Sequence, residues 1–232
     1  MNNVLTYYLF KTGVGGVLDS ARDLAALLTL GNCEHFSQFG EDAFLHDYFA
    51  DRKGVYIDIG GNHPFRLSNT FLLYRRGWSG LVVEPIQRLC KKHKRFRPRD
   101  IQVNAAVGST KGELHFFEMV PSVLSTCDLD EAERLISSRR AKLFCESAVP
   151  VTTVAELHRD FLGGKQVSML SVDTEGHDLD VLRGVDWNTM HPEVIICEAN
   201  EKESESKVES LLASQGYQCR LRTGCNLIFT TI

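Results

Sequence analysis

The sequence predicts an α/β protein built around an open sheet. Short apolar, partly β-branched runs recur at 55–59, 80–83, 101–107, 167–172 and 194–197. They alternate with stretches whose apolar residues repeat at helical spacing. Several runs also end in an acid or a glycine turn: Asp58 with Gly60, Glu84 with Pro85, Asp173, and Glu198. In open α/β sheets, ligands bind beyond that carboxyl edge.

The bulk properties agree. At 232 residues the chain is long enough for one large domain, or for a domain with an extension. A net charge of −4 gives no general reason to expect nucleic acid or an anionic membrane as partner. The seven cysteines are scattered and no Cys-x-x-Cys pair exists. That pattern favours reduced thiols and a cytoplasmic location over a disulfide framework or structural zinc.

Residues 1–33 read as an N-terminal helical extension, and 34–232 as the main domain. The first 31 residues are apolar but broken by Gly13, Gly15 and Gly16. They lack a basic n-region and a small-residue cleavage site, so no secretory signal is expected. No apolar run is long enough to span a bilayer. Asp19 or Ser20 can cap a helix running to about Leu30, with Leu24, Leu27 and Leu28 on one face. Such a helix would pack on the main domain or on a second subunit.

In 34–50, Phe44, Leu45, Tyr48 and Phe49 repeat at helical spacing. Ser37, Gln38, Glu41 and Asp42 crowd the preceding turn, where they can cap the helix or face a pocket. Capping explains one or two of them, not all four. Gln38 is counted with the cofactor-binding residues.

The run 55–59 leads into Gly60-Gly61-Asn62. Glycine there permits a sharp bend and close approach of a ligand. The spacing is neither the dinucleotide fingerprint nor a P-loop. Asp58 and Glu84 lie about one strand–helix–strand unit apart. An acid at the second strand end suits a ribose diol, because a carboxylate offers acceptors to two donors. Capping of the next helix, with Pro85 at its first position, is compatible with that role.

Residues 64–77 should form the first crossover, with Phe71, Leu72 and Tyr74 facing the sheet and 68–70 as a cap. The segment 87–99 carries Arg88, Lys91, Lys92, Lys94, Arg95, Arg97 and Arg99, expected mostly on a solvated helix face. Residues 101–108 read as a third strand and turn, and 112–119 as an antiparallel excursion. The stretch 121–150 is the least regular. It includes a charged helix near 129–138 and has the composition of a lid. A helix is expected at 154–161, and the runs 217–221 and 226–230 read as a closing hairpin.

The densest chemistry follows the strand 167–172, in Asp173-Thr174-Glu175-Gly176-His177-Asp178, and the strand 194–197, in Glu198-Ala199-Asn200. Asp173, Glu175, His177, Glu198 and Asn200 should share one edge with the glycine turn. Helix capping explains Asp178 and Asp173, but not the whole set, so a functional site is expected.

With these motifs in place, the chain resembles the FkbM-type methyltransferases. The segments carrying the resemblance are 37–42, 56–62, 68–70, 77–80, Glu84-Pro85, Asn104-Ala105 and 173–177. The resemblance implies a class I, Rossmann-like methyltransferase fold: a seven-stranded, mostly parallel sheet with helices on both faces and an antiparallel last strand. It implies S-adenosyl-L-methionine as cofactor. Asp58, Gly60 and Asn62 would line its methionine end, Glu84 and Pro85 the ribose, and Asn104 and Ala105 the adenine. Asp173 is expected among the cofactor-binding residues as well as the catalytic ones. The implied reaction is O-methylation of a sugar hydroxyl in a glycan or glycosylated natural product.

Asp173, Glu175, His177 and Glu198 are the candidate catalytic residues. One of them can take the hydroxyl proton, or Asp173, Glu175 and Glu198 can hold a magnesium-like ion that acidifies it. The sequence leaves both open. Rivals are a methyltransferase on a nitrogen or non-sugar acceptor and a non-catalytic relic. A nucleic-acid acceptor is disfavoured, because no aromatic platform accompanies the basic stripe.

Overall fold

The computed structural model describes Asp23, Ala25 and residues 35–199 and 201–232. The expected boundary at residue 33, a subunit contact through the extension, and Asn200 lie outside the described residues. So does nearly all of the expected 19–30 helix, of which only Asp23 and Ala25 are described, both helical.

The elements in order are α1 (Glu41–Phe49), β1 (Val55–Ile59), α2 (Phe71–Arg75), β2 (Ser79–Val83), α3 (Gln87–Phe96), β3 (Ile101–Val103), β4 (Ala106–Val107) and β5 (Gly112–Val120). After a 3-10 turn at Ser122–Leu124 come α4 (Leu129–Ser137), β6 (Lys142–Thr152), α5 (Val154–Leu162), β7 (Met169–Val172), α6 (Asp178–Arg183), β8 (Val194–Glu198), α7 (Lys202–Ser214), β9 (Tyr217–Thr223) and β10 (Asn226–Thr231).

Seven strands form the main sheet in the order β3-β2-β1-β7-β8-β10-β9. β1, β2, β3, β7 and β8 pair in parallel, and β10, the last strand, runs antiparallel between β8 and β9. This is the expected fold class, closed by the expected hairpin.

Strand alternation assigns each side chain to a layer. Ile57, Ile59, Leu170, Val172, Ile195 and Cys197 face the core that holds α5, α6 and α7. Tyr56, Met169, Val194 and Ile196 face the opposite core, with α1 and α2. Helices therefore cover both faces, and the strands read as near-continuous apolar runs because they are buried on both sides.

Several expectations change. The run 101–107 is two strands: β3 pairs with β2, whereas β4 joins a second sheet by pairing with Val151 and Thr152. The stretch 121–150 holds, besides the expected helix, the start of an unexpected strand, since β6 begins at Lys142 and pairs antiparallel with β5 from Val120 back to Gly112. Its side chains are mostly exposed and it contains Pro150, so its own pattern hides a strand that its partner imposes. In α2, Leu73 is buried with the expected Phe71 and Tyr74, and Leu72 packs only partly buried against the same core. Arg97 leaves the basic stripe altogether and is fully buried.

Candidate active site

The carboxyl edge of the sheet is aligned by backbone bonds that continue past the strands. Gly60 N–H donates to the Val83 carbonyl (2.9 Å), Glu84 N–H to Val103 (3.0 Å) and Asp173 N–H to Ile59 (3.0 Å). These bonds hold the ends of β1, β2 and β7 at one level, beneath a cavity of about 780 Å³. That volume lies within the range of small-molecule sites.

Gln38, Asp58, Gly60, Asn62, Glu84, Pro85 and Ala105 line one part of the cavity, and Asp173, Glu175, His177 and Glu198 line another. Asn104 is not among the lining residues. Its amide donates to the carbonyls of Glu84 (2.8 Å) and Pro85 (2.7 Å), so it braces the turn beside the cavity.

The glycine turn is shaped from within. Gly60 has φ +77°, and a Cβ there would stand 1.8 Å from the Asp173 carbonyl oxygen. Glycine is thus required for the packing of β1 against β7, before any ligand is considered. Below the turn, His93 is buried and its Nε2 lies 3.2 Å from the carbonyl oxygens of Gly61 and Asn62. Burial, followed by the charge of Arg97, pushes His93 down to about 3. The ring is therefore neutral at pH 7, with its Nε2 hydrogen shared between the two carbonyls.

Asp58 ends β1 in a buried network that the sequence did not reveal. It accepts the Thr70 hydroxyl, and Arg97 stands 3.8 Å away. Arg97 also donates to Asp100 (2.7 Å), to the Tyr56 hydroxyl (2.7 Å) and to Thr70 (2.9 Å). Burial raises the pKa of Asp58, against the pull of Arg97 and Thr70. The usable signal was position: Arg97 follows the last residue of α3, just before Pro98 and Asp100, where a helical face no longer applies.

Glu84 is 3% exposed, and both its oxygens accept backbone amides, from Asn62 (2.8 Å) and Ile86 (2.7 Å). Burial raises it to about 7 while the two amides hold it down. One carboxylate thus ties the glycine turn to the start of α3 and keeps lone pairs for further donors. Beside it, Ile86, Ala105, Ala106 and Phe116 form an apolar slot. Ile86, Ala106 and Phe116 went unrecognised in the sequence, Phe116 because its strand belongs to the second sheet. The apolar lining, the Glu84 carboxylate and the Asp58 carboxylate together offer a surface for an aromatic base, acceptors for a diol and negative charge for a cationic group, which suits S-adenosylmethionine.

The second acidic group is tighter. Asp173, Glu175 and Glu198 bring carboxylate oxygens within 4.8 Å of one another, a grouping able to hold a metal ion. Asp173 keeps exposed surface yet is surrounded by protein atoms. That loss of bulk water, then the charges of Glu198, Asp178 and Glu175, push its carboxyl well above the usual range. Glu175, at φ +50°, is raised to about 8 by burial and then by Glu198 and Asp178. His177 lines the cavity at the start of α6 without a side-chain capping bond.

Asp178 is not the expected helix cap, since its carboxylate accepts no amide of α6. It is buried and accepts from the Thr174 amide (3.1 Å), the Thr174 hydroxyl (2.8 Å) and the Glu198 amide (2.8 Å), so it joins the ends of β7 and β8.

The segment read as a lid does lie on the cavity. Ser122, Leu124 and Cys127 line it, and the Ser122 hydroxyl donates to the Asn62 side chain (3.3 Å). On the far wall, Cys225 lies beside Glu198, and burial together with that contact pushes its thiol up to about 12.

The profile of the methyltransferase FkbM domain matches residues 58–219, well over half of the chain. No curated protein matches it in sequence. Among solved structures, a TehB-like SAM-dependent methyltransferase from Corynebacterium glutamicum is similar at 12% identity, with 92% of this chain and 97% of that chain covered and a TM-score of 0.45. The METTL16 MTase domain is similar at 11% identity, covering 92% of this chain and 96% of that chain, with a TM-score of 0.47. A Burkholderia thailandensis 1,6-didemethyltoxoflavin-N1-methyltransferase, with S-adenosylhomocysteine bound, shares 11% identity over 93% of this chain and 86% of that chain, at a TM-score of 0.42. The profile match, over the strand ends that build this cavity, places the chain in the FkbM methyltransferase family, as an S-adenosylmethionine-dependent enzyme.

Proposed function

We propose that the enzyme methylates a hydroxyl oxygen, and that the acceptor is a sugar of a glycan or a glycosylated natural product. The observation that carries this reading is the trio Asp173, Glu175 and Glu198, within 4.8 Å of one another in the cavity that Glu84 and the glycine turn also line. An alcohol must lose its proton as it is methylated, so it profits from a base or a metal ion at that point.

When bound, the cofactor supplies an electrophilic methyl on sulfur. Glu84 would hold the ribose, Ile86, Ala106 and Phe116 would pack on the adenine, and the acids beside the glycine turn would balance the cationic end. The chain's remaining task is to orient the acceptor hydroxyl and receive its proton. An ordinary carboxylate is a weak base for an alcohol. Glu175, raised to about 8, is a stronger one above that pH, and Asp173 shares its surroundings. Alternatively the trio holds a divalent cation, which lowers the pKa of the hydroxyl directly.

The polar wall supports a polyhydroxyl acceptor, because Asn69, Ser122, Ser125 and Ser204 all line the cavity. A reducing, cytoplasmic location is supported by the described cysteines, all free. Among the described residues no helix is long and apolar enough to cross a membrane.

The test is transfer of labelled methyl from S-adenosylmethionine to a panel of glycosides, amines and non-sugar alcohols, with EDTA or magnesium. Labelled methyl ethers on glycosides are expected. Exclusive labelling of amines would overturn the proposal. Loss of transfer in EDTA, restored by magnesium, assigns the trio to a metal; transfer unchanged by EDTA assigns it to proton acceptance.

A further inference from the structure

Two adjacent acids at the start of α1, Glu41 and Asp42, are both fully buried, and they do different things. Asp42 stays local: it accepts from the amides of Phe36 and Ser37 and from the Ser37 hydroxyl (2.7 Å), closing its own turn. Glu41 reaches across the fold. One oxygen accepts the Thr223 hydroxyl (3.1 Å) and the Asn226 amide (2.6 Å), from the two strands of the final hairpin. The other accepts the Phe39 amide (2.9 Å).

Phe39 adds a second contact to the same hairpin. Gly224 has φ +58°, and a Cβ there would lie 2.5 Å from the Phe39 ring, so the hairpin's glycine leaves room for the ring. Gln38 immediately precedes Phe39 in the same turn. It lines the cavity with Cys225 and Asn226, and among the described residues its carboxamide has no hydrogen-bond partner.

A carboxylate buried with three donors, and with no cation paired to it among the described residues, is an expensive way to secure a loop unless the loop's position matters. We propose that Glu41 is a positioning residue: it fastens the 37–42 turn to the β9–β10 hairpin and so holds Gln38 in the wall of the cofactor cavity, where Gln38 contacts the cofactor. This rests on the cofactor reading above. Glu41 acts through Gln38 and touches no ligand itself.

The test is a double-mutant cycle on binding of S-adenosylhomocysteine, measured by calorimetry, with Gln38→Ala, Glu41→Ala and the pair. Loss of one or two hydrogen bonds predicts a fall in affinity of about three- to tenfold for Gln38→Ala. Glu41→Ala should lose about as much, and the pair no more than either alone. Losses that multiply, or a folded Glu41→Ala protein that binds like wild type, would overturn the proposal.

If Glu41→Ala fails to fold, Thr223→Val decides in its place, since it removes one fastening donor and leaves the local Phe39 bond intact. Amide exchange of residues 36–39, read without ligand, should quicken in Thr223→Val, and unchanged exchange refutes the fastening. Wild-type protein that binds no S-adenosylhomocysteine defeats the cofactor reading and this proposal's ligand contact together. The exchange measurement then reports separately on the fastening.

Discussion

Replacing Arg97 with methionine removes a cation that is fully buried beneath the glycine turn. The substitution keeps much of the side-chain volume, so the effect is electrostatic rather than a cavity. Its bonds to Asp100, the Tyr56 hydroxyl and Thr70 are all at 2.9 Å or less, and Asp58 stands 3.8 Å away. Stranding buried carboxylates in this way costs about 3–5 kcal/mol. The effect also depends on pH. Asp58 already sits above its ordinary value because of burial, with Arg97 as the main opposing influence. Without Arg97, its folded-state pKa rises further above an unfolded value of about 3.9. The folded variant then binds more protons than the unfolded chain, so its stability increases as pH falls through the folded pKa. Urea unfolding of wild type and Arg97→Met at several pH values reads both effects. The expected gap is about 3–5 kcal/mol at pH 7 and narrows toward pH 5. A gap below about 1 kcal/mol, the worth of an exposed pair, or one that widens on acidification, refutes the reasoning.

Two glycines give a contrast that thermal unfolding can read. Gly60→Ala puts a Cβ 1.8 Å from the Asp173 carbonyl, whereas Gly176, at φ +102°, has nothing within 4 Å. The first should cost more than about 3 kcal/mol and the second about 1 kcal/mol, from backbone strain alone; equal losses would contradict the packing of β1 on β7. For the base, transfer rate should climb with pH through a midpoint near 8, where Glu175 is half ionised, and level off above it, and Glu175→Gln should flatten that rise. An unchanged pH profile in Glu175→Gln removes Glu175 from proton acceptance. His93, held neutral by burial, should give Nε2–H exchange slower than that of the exposed His35 in an NMR titration, and no protonation between pH 5 and 8.

Much of the site was legible because strand ends announce themselves. Runs such as 55–57 and 194–197 lie in strands buried on both faces, so they stay apolar and then change abruptly to Asp58-Ile59-Gly60 or Glu198. That break marks the carboxyl edge without any knowledge of pairing. What stayed hidden depends on distant partners. β6 is a strand because β5 holds it, and its exposed, Pro150-containing sequence carries no alternation. Phe116 reaches the apolar slot only through that second sheet. Arg97 looked like one more cation of a solvated stripe, and only the end of α3 at Phe96 turns it inward. The crowding of Ser37, Gln38, Glu41 and Asp42 was visible, but their division into a local cap, a long-range fastening and a cavity residue needed the hairpin built from the last residues of the chain.

The central claim is that the cavity over β1 and β2 holds S-adenosylmethionine through Glu84. Calorimetric titration with S-adenosylhomocysteine, using wild type and Glu84→Ala checked for cooperative unfolding, tests it most directly. The account predicts micromolar binding by wild type and at least a tenfold loss in the folded variant, because the carboxylate accepts from the diol and also ties Asn62 to Ile86. Well-folded wild-type protein that fails to bind, or a variant that binds equally well, would contradict it.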